Sequence, residues 1–379
     1  MKNNNKKKIA IIANTSWYLF NFRKNLLQKL VNSGYEVIAV APYDEFSQKL
    51  KTLGCIYEHI YIDSKSKNPI NDISITINFL RIFIKKKPAV ILNFTAKPNI
   101  YATLAGRTLG IPAVNNIAGL GSGFVEESMT TKILRILYRY SQKKASKVFF
   151  QNEDDFQEFL FHKMVFPEKT TILPGSGVDL QHFSHHTLPV ITREKKFTFL
   201  LISRILYSKG IELLFYAAKK IYDERNYDFR VQVVGQVGVN NSDAIPLSKI
   251  EEWNNEPFFE YLGKTEDIRQ YITQSHCVIL PSFYREGTPK SILEGLAIGR
   301  PIITTDMPGC RTTIVKGQNG FLIKPRDVND LEQSMRKMIS CDYAQLQEMG
   351  SKSRQLAEQK FDEQIVIKQY LKTINSILN

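Results

Sequence analysis

The chain has 379 residues, enough for two or three domains of roughly 150 residues each, and 43% apolar with 23% charged residues excludes a disordered, collagen-like or coiled-coil protein. Its net charge of +14 is lopsided: residues 1–190 hold 25 Lys and Arg against 14 Asp and Glu, and residues 191–379 hold 26 against 23. A basic first half calls for an anionic partner, for which nucleic acid, an anionic membrane surface or a phosphorylated substrate would each serve.

The chain opens Met1-Lys-Asn-Asn-Asn-Lys-Lys-Lys, and the apolar run from Ile9 to Ala13 is too short for a signal peptide. No run approaches the ~20 apolar residues of a spanning helix, so the expected location is cytoplasmic, with any membrane contact peripheral. Cys55, Cys277, Cys310 and Cys341 stand far apart without a CxxC pair and are expected as buried thiols rather than zinc ligands or disulfides.

Short apolar, β-branched runs recur at 8–13, 36–41, 56–62, 89–92, 113–117 and 147–151. They lack polar alternation, as strands buried on both faces of a parallel sheet do. Helices are expected between them, for example Phe22–Asn32 stopped by Gly34. Around 184–196 the pattern lapses into His-, Pro- and Lys-containing sequence, then restarts with runs at 197–203, 230–234, 258–261, 277–280, 301–304 and 320–323. The predicted organisation is a doubly wound α/β domain over 1–183, a linker over 184–196, and a second such domain over 197–360. Residues 361–379 are predicted to form a last helix returning toward the first domain, and Gly350 to break the helical tail before it. Two such domains would present the carboxyl ends of their sheets to one cleft, where ligands usually bind.

Two stretches carry chemistry. In Ser282-Phe-Tyr-Arg-Glu286-Gly-Thr-Pro-Lys-Ser-Ile-Leu-Glu294, a strand end leads through Gly287-Thr288-Pro289 into a helix, whose free N–H groups suit phosphate or sugar oxygens. Taken singly, either glutamate would more often be a helix cap or a surface carboxylate. In Ser203-Arg204-Ile-Leu-Tyr-Ser-Lys209-Gly210, again at a strand end, Arg204 and Lys209 would form a cationic clamp of the kind a diphosphate leaving group needs. There is no GxxxxGK[ST], no GxGxxG after the first strand and no clear DxD motif; Glu153-Asp154-Asp155 reads as an acidic helix start. No metal and no cofactor are expected.

With both stretches in the second domain, the chain resembles the retaining glycosyltransferases of family 4, of GT-B fold. Their Glu-x7-Glu pattern is matched by Glu286 and Glu294, and their Arg-x4-Lys-Gly by Arg204, Lys209 and Gly210. The segments Asn93-Phe-Thr-Ala-Lys97-Pro-Asn-Ile-Tyr101 and Gly119-Leu-Gly-Ser-Gly-Phe124 are most similar to bacterial members that extend undecaprenyl-diphosphate-linked saccharides in capsule, O-antigen or glycan assembly. The resemblance implies a hexose or N-acetylhexosamine moved from a nucleotide sugar, expected to be UDP-linked, onto such an acceptor. It places Arg204 and Lys209 on the diphosphate and Glu294 on the ribose hydroxyls. Glu286 falls on the donor sugar, and Gly287, Thr288, Pro289, Lys290 and Ser291 on sugar and phosphate oxygens. Residues 258–263, with Gly263, would line the base; Asn14, Thr15, Lys97, Asn116 and Gly119 fall on the acceptor side. Where many members carry a His near the reaction centre, this chain reads Asn115-Asn-Ile-Ala-Gly119.

The competing readings are a UDP-sugar epimerase of the same architecture and an RNA-binding module using Tyr18, Phe20 and Phe22 beside Arg23 and Lys24. The partner at the anionic membrane surface is assigned to two amphipathic helices. One sets Lys132, Arg135, Arg139 and Lys143 opposite Ile133, Ile136, Leu137 and Tyr140; the other sets Ile77, Leu80 and Ile84 together and closes with Lys85-Lys86-Lys87. Their apolar stripes are expected to pack on the sheet, leaving the cations for salt-reversible docking.

Overall fold

The computed structural model describes residues 6–63, 69–124, 128–192, 196–238 and 241–379. Most of the Asn/Lys-rich opening and residues 193–195 of the expected linker lie outside them. The chain divides into two units, Met1–Ser176 together with Gln364–Asn379, and Gly177–Glu363.

Unit 1 is built on a seven-stranded parallel sheet in the order β3-β2-β1-β4-β5-β6-β7. Its strands are β1 (Lys8–Ile12), β2 (Glu36–Ala41), β3 (Ile56–His59), β4 (Val90–Asn93), β5 (Ala113–Ile117), β6 (Lys147–Phe150) and β7 (Thr170–Ile172). The run of apolar residues in β1 has a physical reason in the pleat. Ile9 and Ile11 point into one core with Leu19, Leu27 and Leu92, while Ala10 and Ile12 point into a second with Ile38, Ile91 and Phe79. The short edge strand β7, half-buried and flanked by Lys and Glu, gave no apolar run to read. The first helix spans Ser16–Asn32, starting earlier than its apolar periodicity implied, because the Thr15 hydroxyl accepts from the Tyr18 amide and caps it.

Unit 2 repeats the plan with six parallel strands in the order β10-β9-β8-β11-β12-β13. They are β8 (Phe197–Ile202), β9 (Phe229–Val234), β10 (Phe259–Tyr261), β11 (Cys277–Leu280), β12 (Ile302–Thr305) and β13 (Gly320–Ile323). In each sheet the strand order reverses beside the first strand of the unit, at β1/β4 and at β8/β11, the place where ligands of such sheets bind.

Three expectations are corrected here. The stretch 184–196 is no free linker: Leu188 is buried in the core of unit 2, and the fully buried Arg300 guanidinium donates to the carbonyls of His186 and Thr187 at 2.9 and 3.2 Å. Unit 2 begins at Gly177, ahead of the expected boundary at 183. Gly350 does not break a helix. It lies buried inside the helix Tyr343–Leu356, where any Cβ would overlap the Gly299 carbonyl oxygen, so glycine permits a close approach there.

The helix Glu363–Leu378 brings Val366, Ile367, Tyr370 and Ile374 into the unit 1 core with Phe94, Phe149 and Leu173. Tyr370 is fully buried, and its hydroxyl accepts from Asn116 Nδ2 at 2.7 Å.

The two amphipathic helices of unit 1, Pro69–Lys86 and Met129–Gln142, are rotated relative to expectation. They bury Ile75, Phe79, Ile82 and Phe83 in one case and Thr131, Tyr138 and Gln142 in the other. Ile77, Ile84, Ile133, Ile136 and Tyr140 face solvent instead. Arg135 is paired with Glu158 at 3.1 Å, Arg139 donates to the His162 carbonyl at 3.0 Å, and Lys143 lies 5.2 Å from the Phe166 ring centroid.

Candidate functional site

The carboxyl ends of β8 and β11 bring the two chemical stretches of unit 2 together. β8 runs into residues 203–210, and a short 3-10 turn at Tyr207–Lys209 carries Lys209. Gly210 follows in the left-handed region (φ 77°), where a Cβ would overlap the Pro281 carbonyl oxygen. The Lys-Gly pair is thus required on backbone grounds, since only glycine lets these two loops touch. The loops are stitched by Phe283 N donating to Ser208 O at 2.9 Å and Ser282 Oγ to the same oxygen at 3.3 Å.

Lys209 is 7% exposed, and its Nζ lies 2.7 Å from each oxygen of the Glu286 carboxylate. Ser282 Oγ donates to Glu286 Oε1 at 3.0 Å, and the Tyr284 ring centroid is 5.4 Å from Nζ. Lys209 therefore does not stand beside Arg204 as a bare cationic pair: it is neutralised by Glu286. Arg204 is exposed, and its guanidinium takes no hydrogen bond or ion pair among the described residues.

Gly287, Thr288 and Pro289 are buried, and Pro289 occupies the N-cap of the helix Lys290–Ile298 rather than its first turn. No side chain caps that helix, so its N-terminus presents backbone N–H groups beside Glu286 in the chain. Glu294 lies four residues into the helix and is 7% exposed, with no hydrogen-bond partner among the described residues. Burial pushes its carboxyl up to about 7, with Lys290 pulling weakly the other way. A buried carboxylate without partners is costly unless a ligand donates to it.

The base-side expectation is partly overturned. Phe258 is fully buried and packs its ring against Phe215, Tyr222 and Phe229, and Phe259 is buried beside Trp253, so neither can line a nucleotide base. Tyr261 donates to the Gly235 carbonyl at 2.8 Å, while Gly263, at φ 73°, has open space where a Cβ would stand. Those two positions stay at the rim of the sheet.

In unit 1 the five acceptor-side residues split. Asn14 and Thr15 follow β1, and the Asn14 amide donates to Thr95 Oγ1 at 3.1 Å, across the β1/β4 switch. Gly119 is half-buried at φ 100°. Lys97 is tied to Asp72 at 2.7 Å. Asn116 is fully buried, with its amide used on Tyr370 and Gln151, and is a structural link to the last helix rather than a group that could reach a ligand.

Several residues around the unit 2 site were given no role from the sequence, although Thr305 and Gly309 lie in the family-like stretch Thr305-Asp-Met-Pro-Gly-Cys310-Arg. Asp243 accepts from both the amide and the hydroxyl of Ser208, Thr305 Oγ1 donates to the Ser282 carbonyl, and a Cβ on Gly309 would overlap the Gly287 carbonyl oxygen. Each holds a site loop from 23 or more positions away in sequence, except Gly309, which is 22 away from Gly287.

The chain is similar to known glycosyltransferases in sequence and fold. The family described as glycosyl transferase 4-like matches residues 8–152, and that described as glycosyl transferases group 1 matches residues 189–356. A Campylobacter jejuni N,N'-diacetylbacillosaminyl-diphospho-undecaprenol alpha-1,3-N-acetylgalactosaminyltransferase is 26% identical over 98% of this chain and 99% of its own length. The Staphylococcus aureus capsular polysaccharide biosynthesis glycosyltransferase CapM is 24% identical over 81% of this chain and 82% of its own. Among solved structures, a Rickettsia africae glycosyltransferase superposes with a TM-score of 0.79 at 19% identity, covering 99% of both chains. Anabaena HepE, solved with UDP and glucose, gives 0.78 at 17% identity over 98% of this chain and all of its own.

Proposed function

We propose that the chain, whose two halves match glycosyltransferase family models and whose architecture is GT-B, is a retaining, metal-independent hexosyl- or N-acetylhexosaminyltransferase acting with a nucleotide-sugar donor in bacterial polysaccharide biosynthesis. The donor is a UDP-sugar and the acceptor an undecaprenyl-diphosphate-linked saccharide, used at the inner face of the cell membrane. The observation that supports this reading is the set of groups at the β8/β11 switch: a Lys209–Glu286 pair, a helix N-terminus after it that no side chain caps, and a buried Glu294 without a hydrogen-bond partner among the described residues.

Each group has a part. Arg204, exposed and unpaired, forks onto the diphosphate, and Lys209 adds a third N–H beyond the two aimed at Glu286. Together with the N–H groups of 290 and 291 they stabilise the charge that gathers on the leaving UDP as the anomeric bond breaks. Glu286, fixed from both sides by Lys209 and Ser282, accepts from hydroxyls of the donor sugar and orients it. Glu294 accepts from the ribose hydroxyls. The acceptor hydroxyl attacks the anomeric carbon on the face the diphosphate leaves, and its proton passes to the departing phosphate oxygen.

The test is incubation with a panel of UDP-sugars and a synthetic prenyl-diphosphate saccharide, reading product mass and anomeric configuration by NMR. A product one sugar heavier with the donor's configuration is expected. An inverted linkage, or epimerised donor without any acceptor product, would overturn the reading.

A further inference from the structure

Three Lys and Arg side chains are buried among the described residues, and two of them are satisfied. Lys209 holds the Glu286 carboxylate, and the Arg300 guanidinium donates to the carbonyls of His186, Thr187, Ile272, Thr273 and Gly299. The third is Arg23, on the inner side of the helix Ser16–Asn32 with the core residues Leu19, Leu26 and Leu27. It is 3% exposed and has no ion pair among the described residues. A guanidinium has five N–H donors, yet the one hydrogen bond made here is from Nη2 to the Tyr18 hydroxyl at 3.1 Å, and Nε is buried without a partner. Aromatic faces surround the charge instead. Cζ lies 4.3 Å from the Phe94 ring centroid and 5.7 Å from that of Tyr18. Such contacts use the faces of the planar guanidinium and leave its edge for an acceptor. The position is the strand switch of unit 1: Phe94 directly follows β4, and its amide donates to the Ile12 carbonyl of β1 at 3.1 Å. A buried guanidinium with neither a counter-charge nor a set of carbonyls is costly unless a ligand supplies one.

We propose that Arg23 is the cation of an oxyanion subsite in unit 1, and that its occupant is the diphosphate of the acceptor. The ligand follows from charge and place. A sugar hydroxyl would accept from the guanidinium but leave its charge unbalanced, whereas a pair of phosphate oxygens both accepts along the edge and neutralises it. The subsite lies at the β1/β4 switch, where ligands of such sheets bind, beside Asn14 and Thr15, which the family resemblance puts on the acceptor side. Lys97, the cation expected there from the sequence, is already tied to Asp72 at 2.7 Å. The donor's diphosphate is met by Arg204, Lys209 and a helix N-terminus of unit 2, so the acceptor's is the oxyanion of the reaction that still needs a cation.

The inference rests on the lipid-linked acceptor reading, and its test separates the two. Wild type, Arg23→Met and Arg23→Lys are compared on three acceptors that carry the same saccharide: a short-chain prenyl diphosphate, a neutral alkyl glycoside, and an alkyl glycoside with an added uronic acid. Arg23→Met keeps the length and removes the charge, and is expected to raise the KM for the diphosphate acceptor about tenfold or more relative to the neutral glycoside. Arg23→Lys supplies a point charge without the fork and should fall between. In saturating UDP, which fills the donor site, geranyl diphosphate should raise the melting temperature of the wild type and not that of Arg23→Met. Without ligand the Met variant should melt no lower than the wild type, because the change strands no counter-ion. A lowered melting temperature with the same loss on every acceptor would make Arg23 a packing residue and overturn the subsite, as would equal KM values in all three proteins. A KM effect confined to the uronic acid glycoside would overturn the diphosphate as occupant. If no protein transfers sugar to any acceptor while geranyl diphosphate still shifts the wild type but not Arg23→Met, the enzymatic reading fails and the subsite stands.

Discussion

Glu294 offers the sharpest test of the donor site, because its burial should make the site weaken the fold. Its carboxyl rises from the ordinary 4.5 to about 7 through desolvation. Below about pH 4.5 the group is neutral in folded and unfolded chains alike and has no effect. Between about 4.5 and 7 the unfolded chain ionises while the native one holds its proton, so stability falls as pH rises. Above about 7 the penalty is constant, at about 3 kcal/mol from 1.36 kcal/mol per pH unit. Glu294→Gln keeps the shape and removes the penalty. In urea melts it should match the wild type at pH 4.5 and exceed it by about 3 kcal/mol at pH 8. The ionised carboxylate is also the form that accepts from a ribose diol, so UDP should bind more tightly as pH rises through 7, and the Gln variant should bind about tenfold more weakly at pH 8. Equal stability differences at the two pH values would refute the burial argument, and unchanged UDP affinity in the variant would remove Glu294 from the site.

Arg204→Ala and Lys209→Ala should each lower kcat/KM by about 100-fold or more, the scale of losing one charge-stabilising group; only Lys209→Ala should also lower the melting temperature, since Arg204 is exposed and unpaired. Near-wild-type kinetics in both would exclude the clamp. Glu286→Gln should reduce kcat with the fold intact, and an unaltered kcat with a lowered Tm would make Glu286 merely Lys209's structural partner. Activity should persist in excess EDTA, because among the described residues no three His, Cys, Asp or Glu side chains converge; loss reversed by Mg²⁺ would count against this. Gly309→Ala should destabilise by about 1–3 kcal/mol by pushing on the Gly287 carbonyl, read from thermal melts, and a variant as stable as wild type would show that the loop yields.

The sheets were legible because every central strand is apolar on both faces, so runs such as Lys8-Ile-Ala-Ile-Ile and Cys277-Val-Ile-Leu marked them without ambiguity. The chemical groups were legible where they are close in sequence, as Glu286 and Glu294 are. What the pattern hid was long-range or rotational. Nothing local to Lys209 announces that Glu286, 77 residues on, takes its charge. Phe258 reads like a pocket aromatic until three other rings surround it. Helical periodicity separates two faces of Met129–Gln142 but does not say which of them meets the core. There the small and aromatic Thr131 and Tyr138 won the inner side over the isoleucines.

The helix Glu363–Leu378 has a consequence for how the protein is made. Unit 1 is discontinuous, with all of unit 2 inserted between Leu173 and the Val366, Ile367 and Tyr370 side chains that close its core. Unit 2 is contiguous and can complete itself as synthesis proceeds. The first unit to emerge is therefore the last to be finished. Until residues 364–379 have been made, Phe94, Phe149 and Leu173 expose an apolar cleft that Tyr370 later fills, and Asn116 lacks the hydroxyl it donates to. A released chain ending at residue 363 should thus hold a protease-resistant second unit while its first unit is still recognised by chaperones.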